Sequence, residues 1–147
     1  MAVNMSGEYI LPADKQTVWA KLNDPEVLKA CIPGCEEFIA EGDSYKAVAK
    51  VKIGPVSTRF RGTVNLLDLD PPNSYRISGQ GDGGISGFAK GGAKVRLEDA
   101  DAGSTRLIYD VEAEVGGKIA QLGSRLIASV AKKNADEFFA NFAKVFA

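Results

Sequence analysis

Cys31 and Cys35 bracket Ile32-Pro33-Gly34 and are the only thiols among the 147 residues. Two cysteines cannot build a disulfide scaffold, and three intervening residues are one too many for the C-x-x-C of redox and zinc centres. With no further ligand beside them they read as small buried side chains in a reducing, cytoplasmic setting. The sequence also has no histidine. That removes Ser-His-Asp triads, Cys-His dyads, imidazole metal ligands and the one side chain that titrates near neutrality without help. Paired carboxylates are the remaining route to acid–base catalysis. Glu36 and Glu37 are neighbours, however, and Glu112 and Glu114 stand two apart on a predicted strand, where they share a solvated face. Both pairs read as surface charge.

Gly79-Gln80-Gly81-Asp82-Gly83-Gly84 matches G-x-G-x-x-G, the dinucleotide fingerprint, which requires a strand before it and a helix N-terminus after it. Residues 85–92 are too rich in glycine to present a helix dipole to a pyrophosphate, so the second condition fails. Asp68-Leu69-Asp70 opens like a calcium loop, yet Asn73 stands where the glycine is required and Gly79 where the bidentate glutamate is. No metal and no cofactor are therefore expected. Asn4-Met5-Ser6 is a formal glycosylation sequon, but the N-terminus has neither the basic leader nor the apolar core of an export signal.

The elements that must position any site follow from pattern. A chain of this length, 45% hydrophobic and 25% charged, suits one globular domain over residues 1–147. Its formal charge of -1 gives no bulk attraction to nucleic acid. No run reaches the ~20 apolar residues of a membrane span, since Gln121, Ser124 and Arg125 interrupt the longest candidate, 119–131. Any membrane contact is expected to be peripheral. Residues 5–11 alternate as a first strand. Pro12-Ala13-Asp14 starts a helix with Val18, Trp19 and Leu22 on one face, and Asp24-Pro25 caps and opens a second over 26–30. From there to Gly117, turn chemistry at 41–43, 54–55, 70–73, 83–84 and 99–103 divides the chain into six strands. One amphipathic helix is then expected from Ile119 to Phe146, about 28 residues and about 42 Å long.

Gly54-Pro55 as a two-residue hairpin pairs Ile53 with Val56 and Lys50 with Arg59. Ala47, Ala49, Val51, Ile53, Val56, Phe60 and Val64 then share an apolar face, while Lys46, Lys50, Lys52, Arg59 and Arg61 share a basic one. A turn at 70–73 sets Gly79 against Val64, Gly81 against Gly62 and Gly83 against Phe60. Ala89, Gly91 and Ala93 continue that inward face, so little side-chain volume fills this quarter of the sheet. Either the C-terminal helix settles onto these glycines, or its bulk holds it off and leaves an apolar cavity. Close packing predicts that Gly91→Val or Ala93→Leu destabilises by overpacking, whereas an open cavity tolerates them. Parity and helix phase nominate Trp19, Phe60, Tyr75 and Phe88 as ligand-binding residues, with Tyr109, Leu122, Leu126 and Val130. Tyr45, Tyr75 and Tyr109 offer the only inward polar groups.

The order strand, two short helices, six strands, long helix resembles the helix-grip fold of the START and Bet v 1-like (SRPBCC) superfamily. That is an α+β architecture in which a seven-stranded antiparallel sheet wraps around a C-terminal helix. Within it, Asp24-Pro25-Glu26-Val27-Leu28, Cys31-Ile32-Pro33-Gly34-Cys35-Glu36, Lys52-Ile53-Gly54-Pro55-Val56 and Phe60-Arg61-Gly62 are similar to the CoxG family of carbon monoxide dehydrogenase subunits. Gly87-Phe88-Ala89-Lys90-Gly91 and Phe138-Phe139-Ala140-Asn141-Phe142 agree. The resemblance implies a non-catalytic accessory protein whose cavity takes a quinone or lipid, and which helps a molybdenum hydroxylase complex such as carbon monoxide dehydrogenase associate with the cytoplasmic membrane and its quinone pool. The five cations Lys46, Lys50, Lys52, Arg59 and Arg61 would be its partner or membrane surface. Two other readings stand beside this one: a cyclase or hydrolase of the same superfamily, which needs an inward acid or base that the chain lacks, and a packed docking protein with no ligand.

Overall fold

The computed structural model describes residues 1–146. Seven strands, β1 (Ala2–Leu11), β2 (Cys35–Glu41), β3 (Ser44–Ile53), β4 (Val56–Asp70), β5 (Ser74–Asp82), β6 (Phe88–Asp99) and β7 (Thr105–Gly116), form one sheet. Its order is β1-β7-β6-β5-β4-β3-β2, with every neighbouring pair antiparallel. Between β1 and β2 lie α1 (Lys15–Leu22) and α2 (Pro25–Cys31), and α3 (Ser124–Lys144) follows β7. This is the helix-grip arrangement of Bet v 1-like proteins.

Local chemistry explains the helix starts. The Asp14 carboxylate accepts from the Thr17 N–H at 2.8 Å, and Asp24 accepts from the Glu26 N–H at 3.0 Å with Pro25 in the first helical turn. Both caps satisfy donors that the helix itself leaves orphaned. After α2, Gly34 adopts φ +71°, and a Cβ there would run into the Lys50 carbonyl, so only glycine lets β2 begin so close to β3.

The hairpin registers follow the alternation. Ile53 pairs with Val56, Lys50 with Arg59, Val64 with Gly79 and Gly62 with Gly81. The β4–β5 ladder ends at Arg61 and Asp82, so Gly83 lies just beyond it, but it still faces Phe60, whose ring would be 3.1 Å from a Cβ placed there. The expected single helix from Ile119 to Phe146 is corrected. Residues 118–122 form a 3₁₀ turn, Gly123 takes φ +95° and ψ 149°, and the α-helix starts only at Ser124. A left-handed glycine interrupts the backbone ladder although the apolar spacing runs straight through it.

The core divides in two. One cluster gathers Leu11, Val18, Leu22, Leu107, Tyr109 and the wholly buried Phe142. The other gathers Val3, Ile53, Val115, Ile119 and Ile127. Helix α3 bridges them, approaching β1, β3 and α2. Its Asn141 amide donates to the Cys31 carbonyl at 3.1 Å, which fixes the helix against α2. Tyr9 of β1 donates to the Asp136 carboxylate, which also accepts from Lys132 at 3.2 Å.

Candidate functional site

The inward face between the two clusters is built from small residues. Ala47, Ala49, Gly79, Gly81, Ala93 and Ala113 floor a groove of about 360 Å³ with Phe60 beside it. Cβ atoms placed at Gly79 would touch only the Thr63 carbonyl at 3.5 Å and Val64 at 3.7 Å, and at Gly81 the nearest atoms all belong to Phe60. No atom of α3 is among these neighbours, so the helix stands off from the glycines rather than settling onto them.

Val64 and Ile77 belong both to this groove and to an adjoining, more enclosed cavity of about 240 Å³. Its walls come from three layers. Leu22 and Leu28 come from the short helices and Ile32 from the residue that ends α2, Phe38, Tyr45, Tyr75, Val95 and Leu107 from the sheet, and Phe138 and Phe139 from α3. Among the described residues no charged side chain lines it. Its wall is almost wholly apolar; Tyr45 and Tyr75 line it chiefly with their rings, and neither hydroxyl has a hydrogen-bond partner among the described residues. Tyr75 is only 4% exposed. Burial, with a smaller contribution from neighbouring Tyr45, pushes its phenol well above the ordinary tyrosine value, so it stays a neutral O–H. The two rings are held by aromatic contacts: Trp19 meets Tyr75 edge-on at 5.2 Å, and Phe38 stacks on Tyr45 at 5.1 Å.

The residues nominated from sequence fall into several places. Tyr75 lines the enclosed cavity and Phe60 the groove. Trp19 stands behind Tyr75 and packs against the first core cluster without lining either space. Tyr109 is buried beside β1, where its ring stacks on Phe139 at 5.4 Å and lies over Gly7. Leu122, Leu126 and Val130 pack on the second cluster at the end of the groove. Phe88 is misplaced by the sequence reading. It is 43% exposed and covers Gly116, because Ala89 takes the inward position and strand alternation turns Phe88 outward. Sequence reasoning did not find Leu28, Ile32, Phe38 or Phe138, which reach the cavity only through packing of separate elements.

The five basic residues lie on the outer face of β3 and β4, all exposed. Arg59 donates twice to Glu36, at 2.6 and 3.0 Å, and Lys46 approaches Glu41 at 3.8 Å. Lys50, Lys52 and Arg61 make no ion pair among the described residues. Glu36 is held below the usual carboxylate range by its hydrogen bonds from Arg59 and by the charges of Arg59, Lys50 and Arg61. Cys31 is buried while Cys35 is only half-buried, with its thiol donating to the Glu37 carbonyl at 3.3 Å. Burial raises both thiols above the ordinary value. No cluster of metal-ligating side chains occurs among the described residues.

Residues 7–147 match the model of one family, CoxG, named for a subunit of carbon monoxide dehydrogenase. The chain belongs to the CoxG family. A conserved protein from Geobacillus kaustophilus is 34% identical, with a TM-score of 0.90 over 97% of this chain and 93% of that one. The fold extends to more distant structures. ZhuI aromatase/cyclase from Streptomyces sp. R1128 is 15% identical with a TM-score of 0.69, covering 98% of this CoxG-family chain and 93% of its own. Ara h 8.0201 is 19% identical with a TM-score of 0.69, covering 99% of each chain. Among the curated proteins none matches. Within the described residues no helix is long and apolar enough to cross a membrane.

Proposed function

We propose that this CoxG-family protein is a non-catalytic accessory protein that holds an uncharged apolar ligand, a quinone or lipid, and helps a molybdenum hydroxylase such as carbon monoxide dehydrogenase associate with the cytoplasmic membrane. The observation that carries this reading is the enclosed cavity, whose walls are almost wholly apolar and include the rings of two tyrosines whose hydroxyls have no partner among the described residues. A carboxylate placed there would lose its hydration with no cation to meet it, at a cost of several kcal/mol. A carbonyl or hydroxyl oxygen instead could be met by the O–H of Tyr75 or Tyr45, neither of which has a partner of its own among the described residues. The remainder of the ligand would run over Phe60 and the small residues of the groove. Trp19 and Tyr109 would support the aromatic wall, and Leu122, Leu126 and Val130 would close the far end.

The family description supports carbon monoxide dehydrogenase as the kind of partner. Lys50, Lys52 and Arg61, free of ion pairs among the described residues, would meet that partner or an anionic membrane. Catalysis finds no support in the cavity, where no carboxylate, lysine or arginine stands beside the tyrosines to move a proton. The test is native mass spectrometry of the purified protein, followed by organic extraction of whatever leaves with it. A co-purifying quinone or lipid is expected. A bare mass that stays unchanged after incubation with quinone analogues would overturn the reading and leave a docking protein without ligand.

A further inference from the structure

The net charge of -1 conceals a division between the two ends of the sheet. At one end the connections 12–14, 42–43, 71–73 and 100–104, with their flanking strand ends, carry Asp14, Asp43, Asp70, Asp99 and Asp101. At the other end the three connections 54–55, 83–87 and 117–123 contain no acidic residue and carry Lys118. Lys52, Arg61 and Arg125 flank these connections, all three exposed and without ion pairs among the described residues. The neighbouring carboxylate, Asp82, accepts from the Gly84 N–H at 2.7 Å. It holds up a short 3₁₀ turn whose central residue, Ile85, is 85% exposed. Phe88, just beyond the turn, is 43% exposed.

We infer that this end is a docking surface for an anionic lipid bilayer, with Ile85 entering the headgroup region and Lys52, Arg61, Lys118 and Arg125 resting on the phosphates. A protruding apolar residue with long cationic side chains on the same end of the sheet suits that surface, because the apolar tip gains in the interface while the cations stay at headgroup level. The acidic turns at the opposite end are repelled by the same surface, so the field orients the molecule end-on rather than flat on its basic sheet face. The groove opens between the two ends, with Phe60 and Ala89 on the docking side. This inference deepens the membrane part of the proposed function and stands or falls separately from ligand binding.

The test is co-flotation of the full chain with vesicles of phosphatidylcholine alone and of phosphatidylcholine with one quarter phosphatidylglycerol, at low and at high salt. Binding to the anionic vesicles only, weakened by salt, is expected. Ile85→Asp should abolish it, and each of Lys52→Gln and Lys118→Gln should lower partitioning about five-fold. Ile39→Ser removes another exposed apolar side chain, from edge strand β2, and should change nothing. All four positions are exposed, so circular dichroism should report an unchanged fold, and quinone binding should persist in each variant. No binding to anionic vesicles would overturn the inference. So would loss of binding in Lys46→Glu/Lys50→Glu with Ile85→Asp unaffected, which would assign docking to the sheet face.

Discussion

Tyr75→Phe removes one oxygen from the enclosed cavity and should move stability and affinity in opposite directions. In the empty protein the Tyr75 hydroxyl has no hydrogen-bond partner among the described residues, in a residue only 4% exposed, yet none of their fully buried side-chain oxygens is left unpaired, so the hydroxyl still reaches space that can admit water. Leaving a buried hydroxyl unpaired costs about 1–3 kcal/mol in protein mutational series, and the lower figure applies where it faces a cavity that can admit water. Phenylalanine keeps the ring, the edge-on contact with Trp19 and the wall of the cavity. The empty variant should therefore be about 1 kcal/mol more stable, a rise of about 2–4 °C in Tm for a chain of this size. The ligand loses one hydrogen bond, worth about 1 kcal/mol, and its Kd should rise about five-fold. The chain's single tryptophan lies 5.2 Å from the Tyr75 ring, so quenching of its fluorescence by a short-chain quinone reads occupancy directly. Tyr45→Phe should repeat the pattern more weakly, since Tyr45 is less buried. A Tyr75→Phe protein that is less stable than the parent, with unchanged quinone affinity, would refute the reasoning, because it would mean that the hydroxyl is satisfied within the fold and does not serve the ligand.

Other substitutions separate groove, core and latch. Gly79→Leu places its Cβ in ordinary contact with Thr63 and Val64; it should fill the groove and abolish quinone binding while Tm moves by only a few degrees. Gly91→Val, in contrast, cannot discriminate an open cavity from a packed one: its Cβ would meet the Glu112 carbonyl of β7 in either case, and chemical denaturation should show a clear loss of stability. Phe142→Ala should cost about 3–5 kcal/mol by denaturant titration, since the ring is wholly buried and stacks on Phe138 at 5.7 Å. The Asp136 carboxyl is held below its ordinary value by hydrogen bonds from Tyr9 and Lys132. A depressed carboxylate stabilises the fold above its unfolded pKa and ceases to do so as pH falls through its folded one, so the β1–α3 latch should weaken below about pH 4. Asp136→Asn should remove that part of the acid dependence of Tm, and identical acid profiles for variant and parent would show that the latch contributes nothing.

How far the sequence reveals the site depends on the range of the interaction involved. Period-two alternation and two-residue turns are local, and they place Lys50 opposite Arg59 and Gly79 opposite Val64 without tertiary information. Asp14 and Asp24 announce their helices for the same reason. The break at Gly123 is local too, but the apolar spacing on both sides of it masks the signal of a glycine in left-handed conformation. Helix phase identifies which stripe of α3 is buried and says nothing about where along the sheet each turn lands. On phase alone Leu122, Leu126 and Val130 rank equally with Phe138, although of these only Phe138 reaches the enclosed cavity, and Phe139, which lies off that stripe, reaches it as well. Leu28, Ile32 and Phe38 come from separate elements, and no spacing along the chain brings them together.

The glycines of β5 and β6 explain why a chain with enough apolar residues for one core forms two. Each inward position occupied by glycine or alanine removes the side chain that would have interdigitated with α3, and a helix is too stiff to bend into the space left behind. It rests instead on bulk at either end: Ile127 and Leu126 on the second cluster, and Phe138, Phe139 and Phe142 on the first. Those two supports are anchored independently, by the Asn141 amide on the Cys31 carbonyl and by Ile119 in the turn before Gly123. The space between them can therefore stay open in the empty protein without loss of the fold. A ligand that fills it restores the dispersion contacts that the glycines forgo, and it does so without requiring either anchor to move. On this account, binding is a property of what the strands omit, and the tyrosines decide only which apolar molecules are accepted.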